Sequence, residues 1–254
     1  MKTFLVAVTL LLACASGASA QTPDRLVGYL PAEAWADTAF APPPSPGSPA
    51  ERADRALWRE TAALTDDADW RQAAVDDAAF GGRSPALMFA CALGASLDDA
   101  AAPRLNALLR RTLIDVEAAA APLKRRFARP RPYEGDAAAR VCVSIPPQRR
   151  RGTATSYPSS SSTAGVVWAD ALRLVAPDRE AAVRARGRQM GELRLACRLH
   201  YASDVEAGWR LGDHVSRRLA QTPAYLDDAR RAAAEVAAAR RTAPAPAGCP
   251  AGSE

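Results

Sequence analysis

The most constraining feature of the sequence is a run of residues with helical spacing that follows Pro103. Its mainly apolar members occupy positions i, i+3, i+4, i+7, i+8 and i+11, namely Leu105, Leu108, Leu109, Thr112, Leu113 and Val116. Side chains at this spacing share one face of an α-helix, and a proline suits the first helical position. We therefore predict an amphipathic helix from Pro103 toward Lys124, with its apolar face packed against other helices.

Helix-start signals recur along the rest of the chain. Ser48-Pro49-Ala50-Glu51 and Ser203-Asp204-Val205-Glu206 have the spacing of capping boxes, Asp178 is placed to cap another helix, and Thr222-Pro223 opens the last one. We expect these further helices at about 49–64, then to about 79, from Ser84-Pro85 onward, and at about 162–175, 178–196, 203–220 and 223–240.

The composition supports packed helices rather than sheets. Aromatic residues make up only 6% of the chain and hydrophobic residues 48%, so the core consists mostly of small and aliphatic side chains. No series of alternating strands, internal repeat or glycine-rich dinucleotide motif is present. The sequence therefore predicts an all-α, single-domain helical bundle.

The N-terminus has the pattern of a secretory signal peptide. A positive start at Lys2 precedes the apolar run 3–12, and Ala18-Ser19-Ala20 forms a small-residue cleavage site. We expect cleavage after Ala20 and a periplasmic or secreted protein. Lipoprotein processing at Cys14 is the alternative that the sequence leaves open. No later segment has the length and apolarity of a membrane span.

The domain organisation follows from these signals. We expect a signal peptide at 1–20, an extended Pro-rich arm at 21–47, the main domain at 48–241 and a flexible tail at 242–254. The formal net charge of +5 is compatible with anionic partners, but neither an aromatic platform nor a second basic stripe indicates nucleic-acid binding.

Four cysteines remain after signal cleavage: Cys91, Cys142, Cys197 and Cys249. An exported chain meets an oxidising compartment, and four cysteines allow three complete pairings. We expect zero to two disulfides. The cysteine spacing matches no zinc motif, and the sequence predicts no metal site.

Three polar clusters interrupt the helical pattern, at 124–132, 156–163 and 194–204. Taken singly, each has a structural explanation: basic residues at a helix C-terminus, a serine-rich linker, and a His–Asp hydrogen bond. The serine-rich cluster leads directly into an apolar helix, however, where free backbone N–H groups bind anions.

Taken in order, the clusters resemble a known signature, K-x6-R-P … P-S-G-H … S-R-x5-H-x3-D. The matching residues are Lys124, Arg131 and Pro132, then Pro158 and Ser159, then Arg194, His200 and Asp204. The signature is that of the type 2 phosphatidic acid phosphatase superfamily, which includes vanadium haloperoxidases. Within it, the chain resembles the bacterial class A non-specific acid phosphatases over most of its mature length.

This resemblance implies a role for each matching residue. Three cations (Lys124, Arg131 and Arg194), together with Ser159 and Ser160, would bind the phosphate oxygens. His200 would be the nucleophile that forms a phosphohistidine, and Asp204 would orient it. The resemblance implies no metal or cofactor. It also implies small phosphomonoesters as substrates, and inorganic phosphate or vanadate as inhibitors.

The sequence departs from the family at the general acid. Ser160-Ser161 stands where the family has Gly-His, and a serine hydroxyl is too weakly acidic to protonate a leaving alkoxide well. Leu193 also replaces the family's serine before the arginine. The residues near the motifs that are able to donate a proton instead are Tyr133, Glu134, Tyr157 and Tyr201. The second histidine, His214, is expected to be an ordinary surface residue of its helix.

Two functions remain open from the sequence. The first is an exported acid phosphatase with a weakened or displaced general acid. The second is a catalytically decayed phosphate-binding protein on the same scaffold. A vanadate-dependent peroxidase is disfavoured because that chemistry also uses the missing histidine, and a lipid phosphatase because the mature chain lacks membrane-spanning segments. A homo-oligomer is possible.

Overall fold

The computed structural model of the protein describes residues 26–35, 38–134, 136, 138–146 and 155–249. This part of the chain contains eight α-helices, short 3₁₀ segments and no strands, which confirms the predicted all-α class. The helices are α1 (Pro49–Glu60), α2 (Ala68–Ala79), α3 (Ala90–Leu93), α4 (Pro103–Phe127), α5 (Ser160–Val175), α6 (Glu180–Ala196), α7 (Ala202–Leu219) and α8 (Pro223–Ala239). The predicted signal peptide, 1–20, lies outside the described residues.

Several predicted helix starts agree with the structure. The side chain of Ser48 accepts a hydrogen bond from the backbone N–H of Glu51 and caps α1. Prolines occupy the first position of α1, α4 and α8, where their missing N–H leaves no donor unpaired.

Two predicted caps are wrong. α7 begins after Tyr201, whose N–H donates to the Asp204 carboxylate at 2.9 Å, so the Ser203–Glu206 capping box does not form. Asp178 does not cap α6, because it lies inside the 3₁₀ segment Pro177–Arg179 that precedes the helix. The starts of α6 and α7 differ from the predicted ones because the side chains expected to cap these helices contact other groups.

Helix α5 lies at the centre of the bundle and packs closely against α6 and α7. A Cβ atom added at Gly187 of α6 would lie 2.3 Å from the carbonyl oxygen of Gly165 in α5. One added at Gly208 of α7 would lie 2.5 Å from the carbonyl oxygen of Ser159. Glycine therefore allows close backbone contact at both crossings, and these contacts fix the N-terminus of α5 relative to its neighbours.

We expect Gly187→Ala to lower the free energy of unfolding by about 1–3 kcal/mol, because the new methyl group must push the α5 backbone away. Chemical denaturation of both proteins measures the difference. Ala185→Ser, an exposed change on the same helix, serves as the control and is expected to stay within about 0.5 kcal/mol. A Gly187→Ala protein as stable as wild type would contradict the close crossing.

The main core gathers aliphatic side chains around the indole of Trp168, which is fully buried and donates to the carbonyl of Leu109 at 3.0 Å. A smaller apolar cluster lies between α2, the end of α6 and the chain around 133–145. It contains Ala73, Tyr133, Ala139, Leu193, Cys197 and Leu199. This second cluster supports one wall of the cavity described below.

Two disulfides connect distant parts of the chain. Cys142 pairs with Cys197, which ties the 138–146 segment to the end of α6. Cys91 pairs with Cys249, and Pro244 accepts a hydrogen bond from the N–H of Ser96 at 3.1 Å. The part of the predicted tail up to Cys249 is therefore attached next to α3. The number of disulfides lies within the expected range, and the structure supplies the pairing.

None of the helices in the described part of the chain combines the length and apolarity that a bilayer crossing needs.

Candidate active site

The three polar clusters meet where several helix ends converge. The C-terminal turn of α4 carries Lys124, α5 begins after Ser159, and α6 carries Arg194 in its last turn. The chain then turns through Arg198, which has a positive φ of 63°, and places His200 directly before α7. Residues that are far apart in the sequence thereby come together at one site.

His200 is buried, with only 3% of its surface exposed, and its two ring nitrogens face opposite charges. Nε2 lies 3.0 Å from Nη1 of Arg131, and Nδ1 lies 3.5 Å from Oδ2 of Asp204. A guanidinium can only donate, so Nε2 must be the acceptor and Nδ1 carries the proton. The Nε2 lone pair is thus directed toward the Arg131 guanidinium.

Burial lowers the pKa of His200, and the neighbouring Arg131 and Lys124 lower it further, against the opposing effect of Asp204. The resulting pKa is about 3. The ordinary histidine pKa is about 6.5. In mildly acidic solution the imidazole of His200 is therefore neutral, whereas a free imidazole is largely protonated. A neutral ring retains its lone pair in mildly acidic solution.

We expect the imidazole of His200 to stay neutral down to about pH 4, with the proton on Nδ1. The chain has two histidines, so nuclear magnetic resonance of a His214→Asn variant reports His200 alone. The nitrogen shifts are expected to show an unprotonated Nε2 at about pH 5. A titration midpoint near about 6.5 would contradict the charge environment described here.

Each of the three cations has a protein partner in this structure. Lys124 Nζ donates to the carbonyls of Thr155 and Pro158 at 2.9 and 2.7 Å, and Arg131 also donates to the carbonyl of Leu199 at 3.2 Å. Arg194 Nη2 donates to Oδ1 of Asp77 at 2.7 Å. Among the described residues, Nε of Arg194 is buried without an acceptor, so this side chain still has a donor available for an anion.

Burial, and then the charge of Arg131, lower the pKa of Lys124 to about 8, against the attraction of Glu117 and Asp204. Lys124 therefore loses its proton at lower pH than an exposed lysine. We expect the affinity of the protein for inorganic phosphate to decline above about pH 8, because a neutral amine no longer attracts the anion.

Calorimetric titration with phosphate between about pH 6 and pH 9 measures this decline. Lys124→Arg is the matched control, since an arginine keeps its charge throughout that range. The control is expected to abolish most of the alkaline loss of affinity. An equal loss in both proteins would show that another group controls it.

Asp204 is fully buried within a hydrogen-bond network. Its carboxylate accepts from Ser156 Oγ and Arg129 Nη1, both at 2.6 Å. Burial raises the pKa of Asp204, but the contacts with His200, Arg129 and Ser156 outweigh burial and the net pKa is lowered. Arg129 also pairs with buried Asp54 of α1 at 2.8 Å, and this pair fixes the carboxylate that faces His200.

A cavity of about 340 Å³ opens beside Arg131 and Arg194. His200 and Asp54 line a separate, smaller pocket, and Arg131 lies between His200 and the cavity. The charged lining of the cavity consists of Arg131, Arg194 and Asp77, and Tyr133 lies on its wall. The other lining residues are Val143, Ser144, Ile145, Pro146, Thr155 and Leu199. The cavity combines two guanidinium groups with apolar surface, which suits a phosphate carrying a small organic substituent.

Comparison with known proteins places this site in a family. The chain is 32% identical to the acid phosphatase of Zymomonas mobilis over 209 residues, which cover 82% of this chain and 77% of the relative. The chain belongs to the acid phosphatases. It is also 30% identical over 200 residues to the non-specific acid phosphatase of Providencia stuartii, covering 77% of this chain and 78% of the relative.

A third relative extends the same pattern. The non-specific acid phosphatase of Salmonella typhimurium is 29% identical over 190 residues, which cover 72% of this chain and 73% of the relative. No protein-family model matches the chain.

In this acid phosphatase the serine turn forms the start of α5. Ser159 is the N-cap residue, and its own N–H donates to the carbonyl of Asp204 at 3.0 Å. Ser160 Oγ donates to the Glu117 carboxylate at 3.3 Å. Ser161, where the resemblance to the family implies a general acid, is half-buried in the first turn, where helix N–H groups favour an anion.

The alternative proton donors that the sequence suggests have different surroundings in the structure. Tyr157 donates to the carbonyl of Ala41 at 2.8 Å, so its phenol is turned toward the arm. The Tyr201 ring lies under the Arg129 guanidinium, 4.4 Å away. Glu134 does not line the cavity, whereas Tyr133 does. His214 packs edge-on against Trp35.

Sequence reasoning missed three charged residues of the site. Arg129 lies within the basic run but outside the signature, so nothing distinguished it from its neighbours. Asp54 and Asp77 lie on α1 and α2. Asp54 is 75 residues from its partner Arg129, and Asp77 is 117 residues from its partner Arg194. No local sequence pattern indicates either contact.

Proposed function

We propose that this enzyme is an exported phosphomonoesterase of the type 2 phosphatidic acid phosphatase superfamily that works through a phosphohistidine on His200. The observation that carries the proposal is the placement of His200 Nε2 at 3.0 Å from Arg131, with Asp204 at the other ring nitrogen. A phosphate that binds Arg131 comes next to an unprotonated imidazole nitrogen. Small phosphomonoesters are the proposed substrates, and inorganic phosphate and vanadate the proposed inhibitors.

Binding begins with an exchange of partners. The phosphate oxygens take Arg131 from His200 and the Leu199 carbonyl, and Arg194 from Asp77. Because arginine presents a planar set of donors, each guanidinium is able to hold two oxygens at once. Lys124, Ser159 and the N–H groups of the first turn of α5 complete the phosphate site.

The first chemical step is attack by Nε2 of His200 on phosphorus. The three cations stabilise the charge that spreads over the equatorial oxygens during transfer. Asp204 keeps the proton on Nδ1 and stabilises the positive charge that develops on the ring. The ester oxygen leaves, and water then hydrolyses the phosphohistidine to release inorganic phosphate.

Rapid-quench kinetics with p-nitrophenyl phosphate test this proposal. We expect a burst of nitrophenolate equal to the enzyme concentration, or a steady turnover with an acid-labile phosphoryl group on the protein. Peptide mapping under alkaline conditions is expected to place that group on His200. Turnover with no phosphoryl group on the enzyme under any quench condition would count against the covalent route.

The replacement at Ser161 favours a second candidate, a phosphate-binding protein without turnover. It predicts normal binding of phosphate and vanadate, together with no release of nitrophenolate above a heat-denatured blank. The same rapid-quench experiment distinguishes the two functions, since only the enzyme accumulates a product.

A further inference from the structure

The proposed hydrolysis of alkyl phosphates lacks an obvious proton donor. An alkoxide is a poor leaving group unless it is protonated as the P–O bond breaks, and general acid catalysis contributes about 10²–10⁴-fold. Ser161 has only a weakly acidic hydroxyl. The donor must therefore come from another group that reaches the phosphate.

We propose that Asp77 of α2 is the general acid of this enzyme, an assignment that rests on the phosphomonoesterase function proposed above. Its carboxylate lines the cavity together with Arg131 and Arg194. One oxygen lies 2.7 Å from Arg194 Nη2, the guanidinium that the phosphate is expected to occupy. The side chain is 37% exposed, so a ligand in the cavity is able to reach it.

The other acidic groups near the site are placed less favourably. Among the described residues that line the cavity, Asp77 is the only carboxylic acid. Tyr133 also lines it, but a phenol is a far weaker acid than a carboxyl group. Glu117 is exposed, accepts from Ser160 Oγ and is not among the residues that line the cavity. Asp204 is fully buried and is held by Arg129 and Ser156 on the Nδ1 side of His200, away from Nε2.

The binding of substrate favours protonation of the Asp77 carboxylate. When phosphate takes Arg194, the carboxylate loses its cation and is left next to a second anion. Two adjacent anions repel each other, and a proton on one of them removes the repulsion. A carboxyl group that takes up a proton in this way lies next to the guanidinium at which the phosphate is expected to bind.

The steps balance in protons and bonds. The Nε2 lone pair of His200 forms the N–P bond, the P–O bond of the ester breaks, and the Asp77 carboxyl gives its proton to the departing oxygen, which leaves as the alcohol. Water then attacks phosphorus as the N–P bond breaks. The Asp77 carboxylate takes the proton of this water, which restores the acid and releases inorganic phosphate.

The test compares two esters in wild type and Asp77→Asn. Nitrophenolate leaves p-nitrophenyl phosphate without protonation, whereas butyl phosphate needs the acid. We expect the ratio of kcat/KM on butyl phosphate to kcat/KM on p-nitrophenyl phosphate to fall by about 10²–10⁴-fold in the variant. This quantity reports formation of the phosphohistidine and is independent of its hydrolysis, the step that both esters share. Inorganic phosphate is expected to bind the variant more tightly, because Arg194 no longer has a competing carboxylate. A merely structural role for Asp77 does not predict this pair of opposite changes.

Glu117→Gln is the matched control, since it removes a carboxylate next to the serine turn without touching the cavity. It is expected to leave the ratio of the two esters unchanged. A rescue strengthens the test: Ser161→His in the Asp77→Asn protein is expected to restore at least part of butyl phosphate turnover.

Three outcomes would overturn the assignment. One is an equal change of kcat/KM on both esters in Asp77→Asn. Another is a fall of the ratio of butyl phosphate to p-nitrophenyl phosphate activity in Glu117→Gln rather than in Asp77→Asn. The third is a wild-type protein that releases no nitrophenolate and forms no phosphohistidine. That third result overturns the phosphomonoesterase itself, whereas the first two leave it standing.

Discussion

Replacement of His200 by alanine is expected to lower the hydrolysis of p-nitrophenyl phosphate by about 10⁴-fold or more, since loss of a covalent nucleophile has effects of this size. Nε2 of His200 is the group that faces Arg131 across 3.0 Å, and its low pKa keeps the lone pair free in acid. Because p-nitrophenyl phosphate needs no general acid, the rate at which it forms the phosphohistidine measures the nucleophile separately from the acid role of Asp77.

The binding of phosphate is expected to survive in His200→Ala. Lys124, Arg131 and Arg194 remain in place, and Arg131 loses a competing acceptor. Calorimetry with inorganic phosphate tests this retention, and it also shows that the variant is folded. His214→Asn is the control for loss of a histidine elsewhere, because His214 of α7 packs against Trp35. Turnover by this variant is expected to match wild type. Activity of His200→Ala within tenfold of wild type would contradict the proposed nucleophile.

The helices were largely predictable because their signals are local. Apolar spacing and an initial proline gave the start of α4, and Thr222-Pro223 gave the start of α8, both at the residues observed. The start of α7 was misplaced because Asp204, which sequence spacing treats as an ordinary first-turn residue, takes the N–H of Tyr201. Local patterns thus fail where a residue serves the site.

The candidate site was predictable only in part for the same physical reason. His200 and the three cations proposed to bind phosphate lie in motifs whose spacing is visible in the chain. Asp54 and Asp77 act through contacts across the bundle, which depend on how α1 and α2 pack rather than on neighbouring residues. The packing of α2 also explains why a carboxylate faces the cavity: Asp76, its neighbour, is turned inward to Arg186 at 2.6 Å.

Replacement of Arg129 by leucine is expected to lower the free energy of unfolding by about 3–5 kcal/mol, the range for breaking a buried ion pair from one side. Arg129 is only 9% exposed and contacts both Asp54 and Asp204, which are 4% and 0% exposed. Without the guanidinium, two carboxylates remain buried with fewer donors. Denaturant titration measures the loss, with Arg231→Leu as the control. Its guanidinium is 64% exposed and pairs with Asp227, so a change of no more than about 1 kcal/mol is expected.

The double variant Arg129→Leu/Asp54→Asn distinguishes charge from packing. If unpaired charge causes the loss, removal of one carboxylate restores part of the stability, and the two changes couple by about 0.5–3 kcal/mol. If lost packing causes it, the two effects add. The kinetics provide a second criterion, because Asp204, 3.5 Å from Nδ1 of His200, is the residue proposed to orient that ring. Arg129→Leu is expected to lower kcat on p-nitrophenyl phosphate even where the protein is fully folded, and restored stability in the double variant is not expected to restore kcat. A stable, fully active Arg129→Leu protein would show that Asp204 holds its place through Ser156 and the Tyr201 N–H alone.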